Sequence, residues 1–186
     1  AGREAAELLW QQFDRLLAQP APASGHDLLR ALQRRAAAAG GEVGRDAVLA
    51  NAIGFLTQGF EATSGLIGNA LLALGGFDAA RVRAAVAPPA MTAFLREVLR
   101  HDSPIQNTRR FAIGPVELGG QRIEAGQSVL LLLAAANRDP ACNPASDLFD
   151  PARQGAALFS FSRAAHQCPG QRLAEAPADL LILDVS

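Results

Sequence analysis

Apolar residues along this chain recur first at helical spacing and later at strand spacing. Leu8, Leu9, Phe13, Leu16 and Leu17 share one face of a 3.6-residue period, which predicts an amphipathic helix over residues 1–19. The run Pro20–Gly25 reads as a linker, and a second helix is predicted over 27–39, stopped by Gly40-Gly41. Residues 45–76, "RDAVLANAIGFLTQGFEATSGLIGNALLALGG", form one long pattern. About 28 helical residues at 1.5 Å each would span roughly 42 Å. This helix is apolar nearly all round, which predicts burial on every side. Asn51, Gln58, Glu61 and Asn69 within it argue against a membrane span. A further helix is predicted over 89–101, ended by Ser103-Pro104. From 106 to 133 the period shortens to that of short strands, "TRRFAI", "VELGGQRI" and "QSVLLLL", with a turn at Gly119-Gly120. Residues 134–158 are Pro/Asp-rich and aperiodic; a loop that long is either functional or wrapped around something. The expected fold is mainly α with a small β region, in a single domain over 1–186.

Composition narrows the classes. The chain has 186 residues, of which 49% are hydrophobic, enough for a packed core and too many for a disordered chain. A net charge of -1 leaves no basic face for nucleic acid, and no partner of that kind is expected. All 17 basic residues are Arg. Two cysteines, Cys142 and Cys168, are too few for a disulfide framework. With no signal peptide pattern at the N-terminus, a reduced, cytoplasmic setting is expected, in which a thiolate persists. The start at Ala1, in the style of mid-helix, suggests a piece of something longer.

The stretch with the most chemistry is "FSFSRAAHQCPGQRLAEA", residues 159–176. Pro169 suits a helix's first turn, which sets Cys168 at or next to an N-cap. Arg163, His166 and Arg172 add positive charge, surroundings that favour a thiolate. Such a thiolate could be a nucleophile with His166 as base, a redox sensor or a metal ligand. Zinc would want about four ligands, and His166, Cys168 and the distant Cys142 make a poor set. An inert, small apolar cysteine beside a surface histidine is the remaining reading.

Three stretches together resemble the cytochrome P-450 family, the haem-thiolate monooxygenases, over roughly residues 3–176. In "FSFSRAAHQCPGQRLA" the family's haem-binding loop supplies Phe161, His166, Cys168 and Gly170 in register, with Leu173 and Ala174 continuing the match. "FLREVLRHDSPIQNTRRFA" is similar to the family's ExxR helix and the segment after it. It gives Glu97 and Arg100, one helical turn apart and able to pair, and Arg110 as a contact to a haem propionate. "GFEATSGLIGNALLAL" is similar to the oxygen-groove helix, with Glu61 as its acid and Gly59 where the helix widens over the iron. The resemblance implies a partial P-450 fold holding haem b (iron protoporphyrin IX), with Cys168 as the axial iron ligand. It implies insertion of one oxygen atom from O2 into a small organic substrate. Electrons would come from a redox partner such as a ferredoxin, as in soluble bacterial members, with no membrane partner.

Departures from the family pattern bear on activity. The acid is usually followed by Thr; here Ala62 follows, and Thr63 lies one further on, about 100° round the helix. Members that act on macrolide-like precursors also carry Ala there and rely on a substrate hydroxyl and water, so Glu61 is expected to relay protons with the substrate's help. Gln58 stands where a small residue is usual, able to bond a ligand or to crowd it. Ala164 occupies a position usually Gly, where a Cβ strains a turn favouring φ > 0. Leu148 stands about where an Arg or His completes the network of Glu97 and Arg100, so that pair is expected to lack its third partner. Family domains run to about twice this length. The N-terminal sheet, the substrate-capping helices and another propionate-binding Arg are expected to be missing, and Pro177 to interrupt the helix after Cys168. Two other readings follow: a non-catalytic haem-binding or scaffold protein, and an inactive fragment of a monooxygenase.

Overall fold

The structure is a computed structural model that describes residues 2–20, 27–38, 44–87 and 90–175. Its helices are α1 (Gly2–Ala18), α2 (Leu28–Ala38), α3 (Arg45–Gly75), α4 (Ala79–Val86), α5 (Ala90–His101), α6 (Leu133–Asn137) and α7 (Gln171–Glu175). The strands are β1 (Asn107–Phe111), β2 (Val116–Leu118), β3 (Gln121–Ile123) and β4 (Ser128–Leu132). The predicted linker at 20–25, the Gly40-Gly41 stop, Pro177 and the chain after it lie wholly or largely outside the described residues. Two compact units divide the chain, Ala1–Glu61 and Ala62–Ser186, with the boundary inside α3.

In the first unit, the apolar stripes of α1 and α2 meet the start of α3. Leu17, Ala36, Val48 and Leu49 are buried, flanked by Phe13, Leu29 and Leu32. Arg30 fastens the end of α1, where helix carbonyls lack partners. Its Nη1 donates to Leu17 O at 2.7 Å, and its Nη2 donates to Leu16 O and Gln19 O. Arg45 Nε donates to Asp14 Oδ1 at 2.6 Å.

The second unit is built round α5. Met91, Phe94, Leu95, Val98 and Leu99 are buried together with Leu66, Ala70, Ala85 and Phe161. Phe94 meets Phe77 and Phe149 edge-on, its centroid 5.8 Å from that of Phe149, and Phe77 and Phe149 are tilted to each other. Gly65 of α3 is a close-approach position: a Cβ there would sit 2.8 Å from Pro104 Cβ. Asn69 Nδ2 donates to Asp102 O at 2.7 Å, holding the same contact one turn later. The two strand pairs are antiparallel and nested. β2 and β3 form an inner hairpin, and β1 pairs with β4 outside it, Arg110 opposite Val129. The inner turn needs glycine, because Gly119 and Gly120 both have positive φ, 57° and 74°.

Two expectations change here. α3 is not buried on every side: Leu66 and Ala70 face the core, while Leu56, Phe60 (73% exposed), Leu71 and Leu72 (75%) face outward. Among the described residues, packing partners cover one side of that helix only, and periodicity does not reveal how many neighbours a helix has. The second is α4, a helix the periodicity did not predict. Its start is capped by the Asp78 carboxylate, which accepts from Arg81 N–H at 2.9 Å. Among the described residues no helix is long and apolar enough to cross a membrane.

Candidate functional site

The site is organised by the side chain of Arg100, 1% exposed near the end of α5. A guanidinium has five N–H donors, and all five are used. Nε and Nη2 grip both oxygens of Glu97, 3% exposed, at 2.8 and 2.7 Å. Nη1 donates to Asn137 O at 3.2 Å and Ser146 O at 2.8 Å, and Nη2 to Leu148 O at 3.0 Å. The aperiodic segment is therefore wrapped round a buried cation, its carbonyls serving as the partners that a helix or sheet would otherwise supply. The i, i+3 spacing makes the Glu–Arg pair possible; its burial makes the complete satisfaction necessary.

The pair does have a third partner, against the expectation that Leu148 leaves it without one. Arg153 Nε lies 3.4 Å from Glu97 Oε1, and its Nη atoms hold the carbonyls of Pro144, Ala145 and Leu148. Leu148 contributes its backbone carbonyl, and the chain doubles back so that an Arg five residues later reaches the carboxylate. Glu97 Oε1 also accepts from Asp150 N–H at 2.9 Å. Burial alone would raise the Glu97 pKa. The hydrogen bonds from Arg100 and Asp150 N–H, with the charges of Arg100 and Arg153, outweigh it and hold the carboxyl below the usual Glu range. A depressed pKa means that the unfolded chain binds the proton more readily. The stability this group contributes is complete above the ordinary Glu value of about 4.3 and is lost as pH falls through the lower folded value. Urea midpoints measured from about pH 6 to about pH 3 should fall more steeply for the parent than for Glu97→Gln.

The cysteine loop rests on the same core. Phe161 is buried, and Cys168 packs against its cluster. Cys168 N–H donates to Phe161 O at 2.8 Å, so the seven-residue spacing closes a loop. Between them, Ser162 and Ala164 both have φ of 54°. The expected strain at Ala164 is therefore present, and Ser162 shares it. Ala164→Gly should stabilise the protein by about 0.5–1 kcal/mol, relief of the left-handed penalty offset by the entropy of glycine, as read from the thermal midpoint. Gly170 lies close behind; a Cβ there would meet Cys168 Sγ at 3.7 Å. α7 begins at Gln171, whose N–H donates to Cys168 O, and Arg96 Nη1 binds Glu175 Oε1 at 2.8 Å to tie α7 to α5.

The expected ring of cations is looser than predicted. Arg163 stacks over the Phe159 ring at 5.0 Å, while His166 and Arg172 are exposed. Among the described residues no hydrogen bond reaches the Cys168 sulfur, so His166 forms no nucleophile–base pair with it. No three His, Cys, Asp or Glu side chains gather to hold a metal among those residues either. Arg110 is half-buried, bonded to Thr108 Oγ1 at 2.8 Å and Arg109 O at 2.9 Å, with no carboxylate partner among the described residues. Gln58, Gly59 and Glu61 are exposed on α3 in the first unit; Ala62 and Thr63 are half-buried in the second. α3 stays α-helical through Gly59, without a widened turn, and a Cβ there would meet open space. Sequence reasoning missed Arg153 and two buried amides, Asn137 and Asn143; "FDPAR" held the signal for the first.

A mainly helical unit thus seats a one-cysteine loop on the core of the helix that carries the saturated Glu–Arg pair. The family model of cytochrome P450 matches residues 83–184. A Xylella fastidiosa protein carrying the name cytochrome P450 133B2 is 37% identical over 170 residues, 91% of this chain and 42% of that protein. The 6-deoxyerythronolide B hydroxylase of Saccharopolyspora erythraea is 34% identical over 184 residues, 98% of this chain and 44% of that one. The crystal structure of CalO2 superposes with a TM-score of 0.81 at 30% identity, covering 95% of this chain and 44% of CalO2. This chain belongs to the cytochrome P450 family. It carries part of that fold and spans less than half the length of these relatives.

Proposed function

We propose that this chain belongs to a haem-thiolate monooxygenase that inserts one atom of O2 into an organic substrate, and that Cys168 is the iron's protein ligand. The observation that carries the reading is the closed loop from Phe161 to Cys168, seated on the core that holds the Glu97–Arg100 pair. The donor set fits: one half-buried free thiol is the right provision for haem iron, because the porphyrin would supply most of the metal's other ligands. Arg110, a half-buried cation without a carboxylate partner among the described residues, is the proposed propionate contact. Phe161, His166 and Gly170 of the loop, and Gly59 on α3, are the other proposed cofactor-binding residues. Haem b is the proposed form of the cofactor, and a ferredoxin the proposed electron donor. Bound haem would supply oxygen activation, its thiolate ligand favouring O–O cleavage.

The remaining roles are those of side chains. Glu61 would pass protons through its carboxylate, and Ala62 leaves the usual hydroxyl out of that path. Thr63, about 100° round the helix, does not replace it. We therefore assign the missing hydroxyl to the substrate, in the manner implied for macrolide-type members; the relative named for 6-deoxyerythronolide B supports that class. Gln58 would hydrogen-bond the substrate's polar groups. A second reading, haem binding without oxygenation, is favoured by Ala62 and by the exposure of Glu61 and Gln58 in this chain.

A reduced-minus-carbonyl difference spectrum of the haem-loaded protein tests the ligand: the red-shifted Soret band of thiolate-bound haem is expected, and an unshifted band overturns it. Turnover with a surrogate electron donor then separates the two readings. Product formation that rises with a hydroxyl-bearing substrate supports oxygenation; peroxide release whatever the substrate supports the binder.

A further inference from the structure

Residues 157–159, which lead into the cysteine loop, carry no secondary structure and no β partner among the described elements. Both backbone groups of Ala157 and the N–H of Phe159 are nevertheless engaged by two side chains from the wrapped segment. Asn143 pairs with Ala157 on both sides: Oδ1 accepts from Ala157 N–H at 2.9 Å, and Nδ2 donates to Ala157 O at 3.0 Å. Asn137, 0% exposed, takes the residue two further on, its Oδ1 accepting from Phe159 N–H at 2.7 Å. Its Nδ2 donates to Leu99 O at 3.3 Å and Ser160 Oγ at 2.9 Å, and Ser160 Oγ–H donates to Leu99 O at 2.7 Å. Leu99 O is one of the carbonyls that α5 leaves without a helical partner, so Asn137 caps α5 and grips the loop with one amide. Its own carbonyl accepts from Arg100 and from Asn143 Nδ2 at 2.9 Å. A side-chain amide reproduces the donor and acceptor of a peptide group, and two of them at alternate residues imitate a neighbouring strand.

We propose that Asn137 and Asn143 are positioning residues of the cysteine loop: their amides stand in for a β partner and fix the loop to the end of α5, so that Cys168 is presented in one place. The value of that placement rests on Cys168 being the iron ligand; the placement itself does not.

The test uses the haem-free chain in a Cys142→Ser background, which leaves Cys168 as its single thiol, and follows alkylation by iodoacetamide. Asn137→Asp keeps the acceptor for Phe159 and removes both donors; Asn143→Ala removes the pairing with Ala157. Arg138→Gln is the control. Arg138 Nε and Nη2 cap α5 at His101 O, at 2.8 and 2.6 Å, and make no bond to the cysteine loop. Compared at equal folded fraction, both Asn variants should alkylate faster than the control, on the order of tenfold. Equal rates in the Asn variants and the control overturn the proposal. So does the absence of a cooperative unfolding transition in both Asn variants, since the amides would then support the whole unit rather than the loop. Because haem is absent throughout, a failure to bind it would sink the functional reading and leave this result standing.

Discussion

Arg100→Ala should lose a large share of the stability of the second unit, about 3–5 kcal/mol, against a total of about 5–15 kcal/mol for a typical domain. The substitution leaves the Glu97 carboxylate buried at 3% exposure, with Arg153 at 3.4 Å as its remaining cation. It also removes the guanidinium's bonds to three carbonyls: Ser146 O is left without a donor among the described residues, while Asn137 O keeps Asn143 Nδ2 and Leu148 O keeps Arg153 Nη2. Arg100→Lys keeps the charge but offers three donors without the planar fork, so it should fall between the two. The informative variant is the double, Glu97→Leu with Arg100→Leu. Were the ion pair the main term, replacing both partners by apolar groups would recover much of the loss. The five-acceptor geometry predicts incomplete recovery, because Ser146 O stays unpaired and the carbonyls of Asn137 and Leu148 each lose a bond whatever replaces Glu97. Urea midpoints of the two single variants and the double decide it. Full recovery in the double would show that the wrapped segment does not depend on the guanidinium.

Much of this unit was legible in the sequence, and the parts that were not share a cause. The stripes of α1, α2 and α5 and the Gly119-Gly120 hairpin follow from spacing that each segment carries within itself. Ala164 could be picked out because the family this chain resembles usually has Gly at that position, and its φ of 54° lies in the region that favours glycine. Arg153, Asn137 and Asn143 could not be picked out that way. Their partners are backbone groups brought near by a chain reversal, and Asn within a Pro/Asp-rich run resembles an ordinary turn residue. α4 was missed because Ala and Arg dominate "AARVRAAV", leaving Asp78 as the signal. The outward-facing Leu71 and Leu72 mark the converse limit: hydrophobic pattern names the apolar residues, and neighbours elsewhere in the fold decide which are covered.

Cys168→Ser should abolish the thiolate signature of the haem-loaded protein completely while leaving its fold almost intact. Sulfur and oxygen differ little in size here, and the loop is closed by the backbone bond from Cys168 N–H to Phe161 O, which the substitution does not touch. Placing a hydroxyl against the apolar cluster that includes Phe161 should cost about 1–3 kcal/mol, less than the loss expected at Arg100. A serine hydroxyl stays protonated where a thiol ionises, and it is a harder, weaker donor to iron. The red-shifted Soret band of the reduced carbonyl adduct should therefore vanish, with urea midpoints lowered less than in Arg100→Ala. Cys142→Ser is the matched control: Cys142 is exposed in the wrapped segment, and its loss should leave the band where it was. If the Cys168→Ser spectrum matched that of the parent, iron would be held by some other group, and the oxygenase assignment for this chain would fail with it.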